Sequence, residues 1–305
     1  MGLKALLPSR KSRPLTQSGQ IGHTLSPSFG FLDLVHNNFT LTTWLCIGAC
    51  LQTVASLTIK NGYYAMLPAA VLLLFRIINA TLIHFGLKPN PFLESSFPRK
   101  RITAVVANEE GELVAPGSEK VAVILLGAKS NHPFGALAPE FLKTFRYLAE
   151  MNSSFDRADG PGGFLGQTNW ARKDSRGATE FCFLSYWRSI ECIHAFAHGD
   201  LHRGAWRWWE QTIKEHDAVG LFHEIYEAEP GHWENLYLNF QPTGIGATTY
   251  LHRGDGKVEG GEVGEEWISP LMDASRGKWK ASSARMGVEK TKYDEDRPDG
   301  DVYGD

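Results

Sequence analysis

The chain has 305 residues, room for two ordinary domains or for one domain with an appendage. Its 31 Lys and Arg nearly balance 34 Asp and Glu, a formal net charge of -3, so no nucleic-acid partner is expected. Apolar content of 43% with 21% charge excludes wholesale disorder, and 4 cysteines without a CxxC exclude a disulfide scaffold or zinc knuckle.

Residues 1–40 read as a basic N-terminal segment, with Lys4, Arg10, Lys11 and Arg13 before the first acid. Leu41 to Ile59 carries no charge, and after Lys60-Asn61-Gly62 a second run, Tyr63 to Phe85, carries only Arg76. Each run is long enough to cross a bilayer as a helix, so residues 41–86 are expected to form a transmembrane helical hairpin. Lys88, Arg99, Lys100 and Arg101 follow the second run, while the turn holds a single lysine. By the positive-inside rule both ends face the cytosol. The expected location is therefore multi-pass in a membrane, the endoplasmic reticulum, with a cytosolic catalytic domain. Arg76 is costly there, about 2.5–3.5 kcal/mol at a helix centre on insertion scales.

Residues 87–118, with Pro89, Pro91, Pro98 and Pro116, read as an extended linker. A soluble domain is expected over 119–254. Val121 to Gly127 is a β-rich apolar run, and Phe141, Phe145 and Leu148 recur at helical spacing between Ala138 and Met151. Phe164–Trp170 and Phe181–Trp187 read as strands. A helical stretch from Ser189 to Glu215 is expected to break near Gly199, with Asp200 as a cap. Val219–Glu227 and Trp233–Phe240 close the domain as strands around Pro230-Gly231. Residues 255–305 read as a polar, mostly solvated tail, part of which Trp267, Leu271 and Trp279 could dock over the domain.

This order is the split βαβ pattern of an α+β, ferredoxin-like domain. Strands buried on both faces need a second cover, and a partner copy's sheet would supply it as a homodimeric α/β barrel.

His194, His198 and His202 recur every fourth residue, a spacing that suits a metal or haem, but the break at Gly199 disfavours one aligned row. His202 is followed one turn later by Trp206, which suggests a pocket wall. His223-Glu224-Ile225-Tyr226 lacks the second histidine of HExxH, so a zinc protease is rejected. Alternation separates Leu221, His223 and Ile225 from Phe222, Glu224 and Tyr226. His223, Glu224 and Tyr226 are nevertheless catalytic candidates, with Glu234 and Tyr237 adding an acid and a phenol nearby. Gly160-Pro-Gly162 fails as a dinucleotide fingerprint because Leu165 stands at its third glycine.

Tyr186-Trp-Arg-Ser189, His202…Trp206, Val219-Gly-Leu-Phe-His-Glu-Ile-Tyr226 and Trp233-Glu-Asn-Leu-Tyr-Leu-Asn-Phe240 together resemble a fungal monooxygenase-like family of the fumagillin-pathway type. That family is related to the antibiotic-biosynthesis monooxygenases. The resemblance covers roughly residues 119–250 and implies a dimeric ferredoxin-like fold and a role in secondary metabolism. It also implies oxygenation of activated substrates without flavin, metal or haem. No cofactor is therefore expected, with haem as the alternative through a relative by fold, the aldoxime dehydratases. The asparagine–tryptophan–threonine set of cofactor-free relatives is not recognisable in this chain.

The expected function is a membrane-tethered monooxygenase acting with O2 on a lipophilic terpenoid or polyketide. His202 or His223 would be the base, since an unperturbed imidazole titrates near working pH. Trp187 and Trp206 would wall the pocket, and Arg188, Glu224, Tyr226, Glu234 and Tyr237 would orient polar groups. A lyase or isomerase using the same base, a haem-dependent dehydratase, and a non-catalytic lipophile-binding protein are the alternatives.

Overall fold

A computed structural model describes residues 3–11, 31–93, 99–155, 162–240, 243–257 and 263–288. Among the described residues three α-helices precede the first strand: α1 (Phe31–Asn38), α2 (Leu41–Thr58) and α3 (Leu67–His84). The last two are long and apolar enough to cross a membrane, and no side chain of either is buried. Thr40 caps α2 by accepting from the Thr43 backbone amide, and Pro68 lies in the first turn of α3, where a missing N–H costs nothing.

A four-stranded antiparallel sheet organises the rest. Its strands are β2 (Val121–Ser130), β3 (Phe164–Lys173), β4 (Thr179–Trp187) and β5 (Val219–Ala228), in spatial order β3-β4-β2-β5. The helix α4 (Pro139–Phe155) joins β2 to β3; α5 (Ile190–Ala197) and α6 (Asp200–Gln211) join β4 to β5. Period-2 alternation and an unshifted β2–β5 register put Ala122, Ile124, Leu126 and Ala128 on one face with Leu221, His223, Ile225 and Glu227. The helices cover that face. Phe141 and Phe145 of α4 pack on Phe181 and Phe183, while Ile193 of α5 packs with Trp187 and Phe155. Burial of such side chains contributes about 1.5–3 kcal/mol each.

The opposite face is covered at one end only. A second sheet, β6-β1-β9, is built from β1 (Arg101–Ala104), β6 (Tyr237–Leu238) and β9 (Leu271–Asp273). It packs with Ile245 and Tyr250 against Val121, Val123, Leu165 and Tyr186. A hairpin of β7 (Tyr250–Lys257) and β8 (Val263–Ile268) and the short α7 (Ser282–Met286) complete the described chain.

Several expectations are corrected. Trp233–Phe240 does not form a strand beside β5. The Trp233 indole donates to the Glu119 carbonyl and Asn235 pairs its amide with the Ala104 backbone, so only Tyr237 and Leu238 are strand, on β1. Asn239, at φ 52, ends that strand. The stretch expected as an extended linker supplies β1 and the buried Val105, Val106 and Ala107. The stretch expected as a solvated tail supplies β9, whose Leu271 is wholly buried, and Arg285, whose guanidinium binds Glu234 and two carbonyls. Residues 289–305 lie outside the described residues. Gly199, not Asp200, occupies the cap position of α6, leaving Asp200 in its first turn. The basic N-terminal segment is also partly built in: Leu3, Leu6 and Arg10 bond through their backbones to Leu113, Leu271 and Trp267.

Candidate functional site

The helix-covered face assembles residues from distant parts of the chain. One row across the sheet runs Asn169, Phe183, Leu126, His223; the next runs Gln167, Ser185, Ile124, Ile225. Above them the interrupted helix brings His198, His202 and Phe196 to the same side. The His202 ring stands edge-on to Phe196 at 6.0 Å. Its pKa is lowered from the ordinary imidazole value, chiefly because burial disfavours the charged form. A hydrogen bond with the Ala197 backbone works the other way, and repulsion from His223 and His198 adds to the lowering. The lowering favours the neutral imidazole, the form that accepts a proton.

Between these histidines and the far edge of the sheet lies an aromatic cluster. Phe155 stacks on Phe164 at 4.2 Å and meets Phe196 at 5.1 Å; Trp187 meets Phe155, Phe164 and Phe196 at 5.2–5.7 Å. Beyond it sits a buried amide chain. Gln167 Nε2 donates to Asn152 Oδ1 at 3.3 Å and to Asn169 Oδ1 at 2.7 Å, leaving Asn152 Nδ2 without a partner among the described residues. Sequence reading missed these amides. The signal was present, since Asn152 continues the Phe141–Phe145–Leu148 spacing of the buried helix face.

The candidate residues divide sharply. His223, though exposed, lies close enough to His202 to lower its pKa. Glu224 and Tyr226 are on the other face, exposed, where the Tyr226 hydroxyl donates to Glu224 Oε2 at 2.5 Å. Trp187, 1% exposed, is part of the core, its indole donating to Ser185 Oγ at 2.9 Å. Trp206 points outward and donates to Glu210, so it does not stack on His202. Arg188 donates to the Ala107 carbonyl at 2.9 Å and lies over the ring of Tyr250, tying the two sheets together. Glu234 is the partner of the buried Arg285 at 2.6 Å. Tyr237 donates to the Thr243 carbonyl and accepts from the Gly246 amide; burial raises its pKa far above the ordinary phenol value, as it does for Tyr250, and it raises that of Tyr186. His198 is close enough to bear on His202, whereas His194 sits beside Glu191.

Among the described residues no group of three or more His, Cys, Asp or Glu is placed to hold a metal ion. Haem is the poorer fit to these side chains. Phe196 packs against His202, the His202 ring is engaged at the Ala197 backbone, and the layer beneath the helices is filled by the aromatic cluster.

Residues 121–245 match the family described as Monooxygenase af470-like. The chain is 32% identical over 253 residues to monooxygenase af470 of Aspergillus fumigatus, spanning 82% of this chain and 88% of that protein. Among solved structures it is similar to the aldoxime dehydratase OxdRE, at 17% identity and a TM-score of 0.35 over 62% of this chain. It spans only 42% of that dehydratase. SnoaB of Streptomyces nogalater, a cofactor-independent oxygenase, matches 36% of this chain and 94% of its own length at 11% identity and a TM-score of 0.25.

Proposed function

The chain belongs to the monooxygenase af470-like family, and on that premise we propose a membrane-tethered monooxygenase that oxidises a lipophilic secondary metabolite with O2 and no cofactor. The observation that carries the residue-level reading is the half-buried His202 packed against Phe196 on the helix-covered face, its pKa lowered chiefly by burial, with His223 nearby. His202 is the base and His223 its neighbour. Removal of an acidic C–H proton leaves a carbanion, which reduces O2 directly. For an activated methylene, one atom of O2 becomes the carbonyl oxygen of the product. The other leaves as water with both methylene hydrogens, so the substrate supplies every electron that O2 accepts. Phe196, half-buried beside His202, supports an apolar substrate, and the free Asn152 Nδ2 is a donor for a substrate oxygen.

The βαββαβ connectivity and the order β3-β4-β2-β5 support a ferredoxin-like domain as the catalytic unit. Trp170, Phe222 and Tyr226, 44%, 49% and 58% exposed on the open face, support a second copy packing its sheet there. Two apolar helices with no buried side chain, Trp44 near the start of one and Tyr63 and Tyr64 in the turn between them, support a spanning hairpin, and the basic flanks support a cytosolic domain, in our reading at the endoplasmic reticulum.

Oxygen uptake coupled one-to-one to product tests the reaction; turnover of substrate without O2 would put a lyase or isomerase in its place. A Soret band in purified protein, lost in His202→Ala or His223→Ala, would instead establish the haem dehydratase reading.

A further inference from the structure

The segment that precedes α2 is fastened to the soluble domain. Leu34 of α1 is 4% exposed, inserted among Ala136, Phe141, Phe181 and Val219. Asn38 closes the join at both ends of its amide: Nδ2 donates to the Phe134 carbonyl at 3.1 Å and Oδ1 accepts from the Ala136 amide at 2.6 Å. The Asn37 carbonyl accepts from Lys173 Nζ and Thr179 Oγ1, at the ends of β3 and β4. Two glycines permit this approach. A Cβ on Gly135, at φ +59, would collide with Asn38 Oδ1, and one on Gly177, at φ +85, would stand 3.0 Å from Thr40 Cγ2.

α2 begins at Leu41, so this join leaves no slack between the domain and the first apolar helix. The loop 131–137 and the turn 174–178 therefore lie where the chain enters the bilayer. Phe134, at the tip of that loop, is 68% exposed. Phe39 stands edge-on to Trp44 at 5.4 Å, and the Trp44 indole donates to the His36 carbonyl, forming an aromatic corner at the same level. Aromatic side chains of this kind favour the membrane–water interface.

We propose that α1 is a clasp that seats the domain on the membrane, with the loop 131–137 resting in the interfacial layer of the bilayer that α2 and α3 cross and Phe134 inserted among the headgroups. The surface partner is the phospholipid interface itself. This inference rests on the tether reading above and adds the orientation of the domain. The strands then run away from the bilayer, with the turn 229–232 at the far end.

The test is full-length protein in phosphatidylcholine nanodiscs containing a phospholipid with a photoactivatable group near its headgroup, mapped by mass spectrometry. Labelling of 41–84 and of 131–137, with 229–232 blank, is expected. Phe134→Ser should reduce loop labelling several-fold without altering that of 41–84, and Asn38→Ala should do the same by loosening the clasp. Labelled 41–84 with an unlabelled loop overturns the seating alone. Absence of label from 41–84 overturns the tether reading itself.

Discussion

His223 and Glu224 are neighbours on one strand, yet the sheet sends them into different surroundings. On the helix-covered side His223, itself exposed, lies close enough to His202 to lower its pKa. On the open side Glu224 is exposed and accepts from the Tyr226 hydroxyl. Both residue types suit acid–base chemistry in isolation, but near His223 stands His202, whose proton affinity burial lowers, whereas Glu224 lies in the exposed part of the open face. Chemistry is expected on the covered face, and assembly on the open one.

The severest test of that contrast is His202→Ala. Loss of the base is expected to lower turnover by about 10²–10⁴-fold with circular dichroism unchanged, measured as product by mass spectrometry. In the wild type the acid limb of the rate profile should lie below the ordinary imidazole value of 6.5, because burial lowers the folded-state pKa. The same lowering means that stability from this group is present above the unfolded value and is lost as pH falls through the folded one. His223→Ala removes a repulsion and should move the limb upward. An unchanged limb and full turnover in both variants would remove the histidines from the mechanism.

Trp187→Ala probes whether the aromatic cluster is core or pocket wall. As core it should cost about 3–5 kcal/mol in urea unfolding. A stable variant with a raised KM would make it a substrate contact instead.

Glu234→Gln is expected to cost about 1–3 kcal/mol of stability by leaving Arg285 buried without its counter-charge, with KM unchanged. A change in KM with stability intact would return Glu234 to the substrate.

The smallest effect belongs to the open face. Glu224→Gln and Tyr226→Phe should each change stability by less than about 0.5 kcal/mol and leave turnover near that of the wild type. A large loss of turnover in either, with His202→Ala silent, would reverse the comparison.

Much of the central sheet was legible because its signals are local. The apolar run at Val121, the helical spacing of Phe141 and Phe145, and the strand at Phe181–Trp187 declare themselves through periodicity. The break between α5 and α6 was readable from Gly199. Trp233–Phe240 was not, because its apolar pattern resembles a strand while its backbone is held by side chains more than a hundred residues away: Asn235 with Ala104 and the Trp233 indole with Glu119. Residues 263–288 were misread for a related reason. Their composition is polar, but Leu271 and Arg285 are buried by long-range partners that composition does not reveal.

By itself the sequence determined that two apolar segments precede a mixed α/β domain, and that His223 and Glu224 face opposite ways, since a period of two follows from backbone geometry alone. Only the tertiary structure decided which of those faces the helices cover. That choice depends on how α4, α5 and α6 pack across β2, β4 and β5, and it alone brings His202 near His223, commits Trp187, Glu234 and Tyr237 to holding the fold, and fastens α1 beside Gly135 and Gly177.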